Sequence, residues 1–348
     1  MNKTYLNAYH KDAGGSLVDF SGWEMPINYG SQINEHNEVR TNAGVFDVSH
    51  MAVFDLSGPQ QVDFLKSLLP NDISKILHSK RALYSPLLNE EGMILDDLIV
   101  YHLGDNNFKI ISNCATREQN DDWFSKRSSS FECKVELQKN SSIIALQGPN
   151  SQKLIQEIFP GLELRPFHLE EFDNTMVATT GYTGEQGYEI ISSEADGLII
   201  WSKLIALGVS PIGLAARDTL RLEAGLNLYG SDMTSANHPY ESNLSWTIDL
   251  TDELRNFIGK KKLLTYKDSP STLHGFYTEE RGVLRSGSTI SCDGGSGVIT
   301  SGTWSPTFKK NIGFCRLDTK NPINGFAMLR ERQINLNFCK TNFLKYLQ

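Results

Sequence analysis

The order of apolar and polar positions predicts a chain of alternating helices and strands. Residues 31–42 read as a helix, with Ser31 placed to cap it, Ile33 and Val39 as its apolar positions and Gly44 following as a stop. Strands are expected over 45–51 and 52–56. Leu56-Ser57-Gly58-Pro59 then opens a helix whose Val62, Phe64, Leu65, Leu68 and Leu69 recur at helical spacing. The same grammar returns further on: Ile143-Ile144-Ala145-Leu146 is a strand, Gln147-Gly148-Pro149 a turn, and Leu154, Ile155, Ile158 and Phe159 a helix face. Proline suits both turns because its missing N–H would be unpaired at a helix start anyway.

Between the two units, residues 82–112 read as β-rich and 116–126 as a helix. After the second, strands are expected at 176–180 and 188–192, and helices at 198–207 and 214–226. Beyond about residue 250 a short lysine-rich helix at 259–266 leads into strands punctuated by Gly282, Gly287, Gly294, Gly295, Gly297 and Gly302, the pattern of a small all-β module. The fold class is α+β, with two related modules followed by a β module.

Within this frame Gly92 to Tyr101 carries the most chemical information. Side chains alternate along a strand, so Asp97 shares a face with Leu95, Ile99 and Tyr101, and Asp96 with Ile94, Leu98 and Val100. Neither acid has a polar face to itself. A buried unpaired carboxylate costs several kcal/mol or a large pKa shift, so one of the two is a candidate reactive or ligand-binding acid. An ion-paired or N–H-capping aspartate at a bulge accounts for this run equally well.

Gly181-Tyr182-Thr183-Gly184-Glu185-Gln186-Gly187-Tyr188-Glu189 is a second candidate. It lacks the lysine of a nucleotide P-loop and the G-x-G-x-x-G fingerprint. A glutamate beside tyrosines suits a flat heterocycle bearing N–H donors, although an ordinary hairpin is the commoner origin of such a loop. On the 214–226 helix, Arg221 has Asp218 one turn away and reads as structural, which leaves Arg217 as the freer guanidinium, able to grip a carboxylate. A lone arginine is more often structural.

Composition narrows the classes. Against 33 basic residues stand 41 acidic ones, a net charge of −8, which gives no footprint for duplex nucleic acid or an anionic membrane. No apolar run approaches the roughly 18 to 20 residues of a membrane span, and no signal peptide is apparent. The 5 cysteines show no C-x-x-C spacing and the 8 histidines no metal-ligand spacing, so a cytoplasmic, metal-free protein is expected. No G-x-S-x-G elbow supports a serine hydrolase.

Taken in order, Asp19 to Pro26, Asp47-Val48-Ser49-His50-Met51, Leu95 to Tyr101, Leu146 to Pro149, Thr180 to Glu185, Ala216-Arg217-Asp218 with Leu222-Glu223, and Thr300-Ser301-Gly302 with Ser305-Pro306 resemble the glycine cleavage system T-protein (aminomethyltransferase) family. The motifs span nearly the whole chain. The resemblance implies a three-domain cloverleaf around a central folate pocket: residues 1–50 with 140–250, residues 51–139, and a barrel-like module at 251–348. It implies transfer of the methylene of aminomethyl-lipoyl H-protein to tetrahydrofolate with release of ammonia.

Position by position, the resemblance makes Asp97 the catalytic aspartate and Asp96 its less critical neighbour. Glu189 and Tyr182 become the pterin-binding pair, Tyr84, Asn113 and Met51 pocket-lining residues, Arg217 a substrate-binding arginine and Tyr346 a C-terminal substrate contact. The anionic glutamate tail of folate is expected to meet local cations such as Arg217. The alternative is a folate-dependent demethylase of a small methylated amine or sulphonium compound. A non-enzymatic folate protein of iron–sulphur assembly is disfavoured, because the comparable loop, Gly181 to Gly184, has no cysteine.

Overall fold

The computed structural model describes residues 1–105 and 107–347. Two large open sheets, a two-stranded sheet of Ser16–Phe20 and Trp23–Asn28, and a closed barrel surround a central cavity. The six-stranded sheet runs, in spatial order, Leu169–Phe172, Thr175–Ala178, Gly187–Ser193, Ser141–Gln147, Gly44–Asp47 and Ser210–Pro211. The five-stranded sheet runs Arg81–Leu88, Ile94–Gly104, Asn107–Ser112, Ala52–Ser57 and Lys134–Gln138. Six strands between Thr272 and Cys339 close the barrel.

The two Gly-Pro turns share a physical cause. Gly58 has φ +118° and Gly148 φ +132°, and a Cβ on either would meet a backbone carbonyl, Glu132 O at 2.6 Å or Asn42 O at 2.5 Å. Only glycine adopts that backbone and allows that approach. Each turn delivers its chain into a helix: Gln61–Leu68 buries Phe64, Leu65 and Leu68, whereas Ser151–Gln156 ends before Ile158 and Phe159, which were expected on its face and pack into the same core as Ile155 from the turn that follows.

Ser31 caps the Gln32–Thr41 helix by accepting from Asn34 N at 3.3 Å. Other boundaries differ from the sequence expectation. The strand expected over 45–51 ends at Asp47, because Val48 to Met51 turn back on a Met51 N to Val48 O bond of 3.0 Å. The helix expected at 198–207 spans Glu194–Ala206, started by Ser193, whose hydroxyl accepts from Asp196 N at 3.1 Å. The helix expected to reach 226 is Leu214–Ala224, stopped by Gly225 at φ 82°.

That helix ties the modules together through two buried charges. Glu223, fully buried, takes His36 Nε2 at 2.9 Å and Arg40 Nη2 at 2.7 Å from the Gln32–Thr41 helix, and Ser305 and Thr307 from the barrel side. Arg221 bonds Asp218, Asp232, Ser301 and the Leu226 carbonyl, as expected of a structural arginine. A removed partner in either network would strand a buried charge.

Candidate active site

The cavity has a volume of about 1120 Å³ and takes walls from both open sheets, the Leu214–Ala224 helix and the barrel. Strand alternation sets its acidic wall. Along Ile94–Gly104 the even positions Ile94, Asp96, Leu98 and Val100 are buried, and Asp97 and Ile99 face the cavity. Ile99 pairs with Ile111 and Ala52 with Ser112. Continued toward the sheet edge, those registers put Asp97, Asn113 and Met51 in one row across three strands, and all three line the cavity.

The two aspartates occupy different environments. Asp96, fully buried, accepts from Thr116 Oγ1 and Asn120 Nδ2 at 2.6 Å each, from Asn113 Nδ2 at 2.6 Å and from Asn113 N at 3.3 Å. Asp97 accepts from Tyr84 Oη at 3.1 Å and Asn113 Nδ2 at 2.8 Å. Burial raises the Asp97 pKa, the neighbouring charge on Asp96 raises it further, and it reaches about 7. Burial also pushes Asp96 up, against its many donors. Tyr84 is itself stacked on Trp246, with ring centroids 5.7 Å apart and planes at 18°.

The opposite wall comes from the six-stranded sheet. Glu189 accepts from Thr180 Oγ1 at 2.5 Å and from Tyr101 Oη at 3.2 Å, and Tyr101 reaches across from the other open sheet. The Arg217 guanidinium lies 4.7 Å from the centroid of the Tyr182 ring. Tyr182 is anchored in turn by its hydroxyl on the Asn227 carbonyl. Arg217 Nη1 is buried and finds no hydrogen-bond partner among the described residues, and burial holds the Arg217 pKa below its usual value despite the pull of Glu189.

Asp97, Glu189, Arg217, Tyr182, Tyr84, Asn113 and Met51 thus line one cavity. Tyr346 does not. It ends the Phe343–Tyr346 helix with 51% of its surface exposed, because Phe343 and Leu347 are the residues of this tail that pack against Leu222 and Phe314. Among the described tail residues, Thr341 reaches the cavity. Sequence reasoning also missed Trp246, whose stacking on Tyr84 joins segments far apart in the chain. Tyr101 had a readable signal, since it lies in phase with Asp97.

The sequence matches the GCVT N-terminal domain over residues 6–252 and the glycine cleavage T-protein C-terminal barrel domain over residues 272–344. The chain belongs to the glycine cleavage T-protein family. Among relatives of the family, the aminomethyltransferase of Alcanivorax borkumensis is 47% identical over 324 residues, covering 91% of this chain and 89% of that one. The aminomethyltransferase of Xylella fastidiosa strain M23 is 42% identical over 361 residues, covering 99% and 97%. The glycine cleavage system aminomethyltransferase T from Bartonella henselae has the same fold, with a TM-score of 0.92 and 32% identity over 98% of both chains.

As a T-protein family member, the chain is an aminomethyltransferase of the glycine cleavage system, and its family is folate-dependent in general. Among the described residues, no helix is long and apolar enough to cross a membrane.

Proposed function

We propose that the cavity binds tetrahydrofolate together with the aminomethyl-lipoyl arm of H-protein. On this reading Glu189 and Arg217 receive the polar edge of the pterin: the carboxylate accepts from its exchangeable N–H groups, and the unpaired guanidinium nitrogen supplies a donor. Tyr182, covered on one face by Arg217, and the Tyr84–Trp246 stack supply aromatic surface.

The chemistry closes without an outside reagent. As the folate nitrogens bond to the methylene carbon they lose two protons, while the breaking C–S and C–N bonds need one at sulphur and one at nitrogen. Asp97 takes a proton from a folate nitrogen and returns it to a departing group. A carboxyl near pKa 7 is matched to that exchange, and Tyr84 and Asn113 hold its orientation. Asp97 facing the cavity, with Asp96 locked behind it, is the observation that carries the proposal.

We infer a cytoplasmic setting, where the cysteines, all unpaired in the structure, remain reduced. The test is an assay of ammonia release and methylenetetrahydrofolate formation with aminomethyl-lipoyl H-protein, run beside small methylated amines and sulphonium donors. Turnover with H-protein alone is expected. Demethylation of a small donor without H-protein turnover would favour the demethylase reading.

A further inference from the structure

His50 is a buried titratable residue that neither the Asp97 site nor the pterin contacts employ. It lies in the turn that follows Gly44–Asp47, is 4% exposed, and lines the central cavity. Its nearest acid in sequence is committed elsewhere: Asp47 accepts from Thr4 Oγ1 at 2.6 Å and from Ser49 N at 2.9 Å, and is bonded to His10 Nε2 at 2.9 Å. His50 Nδ1 is buried and finds no hydrogen-bond partner among the described residues. A buried polar atom left without a protein partner in a cavity wall calls for a functional reason.

The surroundings hold this ring in place and keep it neutral. Arg117 Nη2 donates to the His50 carbonyl at 3.1 Å and to the Met51 carbonyl at 2.9 Å, which pins His50 next to Met51, a member of the row that contains Asp97 and Asn113. Phe20, from the two-stranded sheet, meets the imidazole at right angles, with ring centroids 5.5 Å apart and planes at 88°, and lines the cavity as well. The charges that act on the imidazole are Asp47 from the preceding strand, Arg217 from the Leu214–Ala224 helix and Arg117 from the Arg117–Ser128 helix. Burial, aided by the two guanidiniums against the pull of Asp47, brings its pKa down to about 4.

The proton count of the reaction has a place for such a group. Two protons leave the folate nitrogens, two are needed at sulphur and nitrogen, and Asp97 carries one of them. We propose that His50 is the second proton carrier: its imidazole takes the proton that the arylamine nitrogen of folate loses on bonding to the methylene carbon, and gives it to the lipoyl sulphur as the C–S bond breaks. The nitrogen lone pair makes the new C–N bond, the C–S electron pair goes to sulphur and the proton follows it, so nothing is oxidised and no outside reagent enters. A weak base suffices, because an arylamine nitrogen becomes strongly acidic when it gains a fourth bond, and the protonated ring then passes its proton readily to a thiolate. Asp97 is left with the other folate nitrogen and the departing amine, whose positive charge suits a carboxylate. The inference rests on the folate reading of the cavity.

The test is single-turnover methylene transfer from aminomethyl-lipoyl H-protein in the full chain, His50→Gln and His50→Ala, with tetrahydrofolate binding measured by calorimetry on the same samples. His50→Gln keeps a polar side chain that cannot carry a proton, and is expected to bind tetrahydrofolate within about threefold of wild type and to transfer about 10²-fold more slowly. His50→Ala leaves room for an added azole: imidazole is expected to restore transfer about tenfold or more, and the less basic triazole clearly less. A ring that only fills space would be replaced equally well by either azole, and this comparison decides the matter even where His50→Gln loses folate binding. Transfer by His50→Gln within about threefold of wild type, equal rescue by the two azoles, or no rescue by either overturns the carrier role and leaves the folate reading standing. Failure of the wild type to bind tetrahydrofolate overturns both.

Discussion

Asp96 and Asp97 share one donor: the Nδ2 atom of Asn113 lies 2.6 Å from an oxygen of Asp96 and 2.8 Å from an oxygen of Asp97. The strand turns the two carboxylates to opposite faces, and this amide links them across the end of the sheet. Asp96 is saturated by protein donors, whereas Asp97 keeps capacity for a ligand. Thus one acid is structural and electrostatic, and the other is available for chemistry.

The pH–rate profile is the first consequence. With the Asp97 pKa raised to about 7, methylene transfer is expected to rise with pH through that region as the carboxylate becomes able to accept a proton. Asn113→Ala removes a donor that stabilises the ionised form, and should shift this limb upward. A limb that stays in place in the variant would assign it to another group.

Stability should respond with the opposite sign. The folded-state pKa of Asp97 lies above its unfolded value of about 3.9, so the folded chain keeps a proton that the unfolded chain releases, and stability falls as pH rises from about 4 to about 7. Asp97→Asn is therefore expected to stabilise the protein at pH 8, by roughly 1–2 kcal/mol, and to matter little at pH 4. Denaturant melts at the two pH values check this.

How much of this was legible in the sequence differs between elements. The alternation that separates Asp96 from Asp97 is readable because period two is strict in a strand, and Ser31 announces its helix because its hydroxyl caps locally. The turn after Asp47 is not readable, since Val48 and Met51 are apolar and nothing in their types marks the break. The Tyr84–Trp246 stack and the Tyr101–Glu189 bond join segments far apart in the chain, which no local pattern encodes. Tyr346 was misplaced because resemblance aligns residue types, while the burial of Phe343 decides how the tail lies.

Glu189→Ala should act on binding. It removes the acceptor proposed for the pterin and leaves the Thr180 and Tyr101 hydroxyls facing a void, so the folate dissociation constant is expected to rise more than about tenfold. Calorimetry that returns an unchanged constant would refute the assignment.

Glu223 offers a test of assembly. Burial works against its ionisation, but the donors of His36, Arg40 and Ser305 more than offset this and hold its pKa near about 2. The stability it contributes is present above the unfolded pKa of about 4.3 and is lost as pH falls toward about 2. Glu223→Gln is expected to cost about 3 kcal/mol at pH 7, by leaving Arg40 and His36 without their buried partner, and less at pH 3. Chemical denaturation at both pH values measures the difference.

The most direct test of Asp97 is single-turnover methylene transfer from aminomethyl-lipoyl H-protein to tetrahydrofolate in Asp97→Asn, with the folate dissociation constant measured on the same sample. The expected result is binding within a few-fold of wild type and a rate lower by about 10² to 10⁴, because the amide preserves shape and hydrogen bonding but cannot take the proton. Near-wild-type transfer by a variant that still binds folate would contradict the role of Asp97.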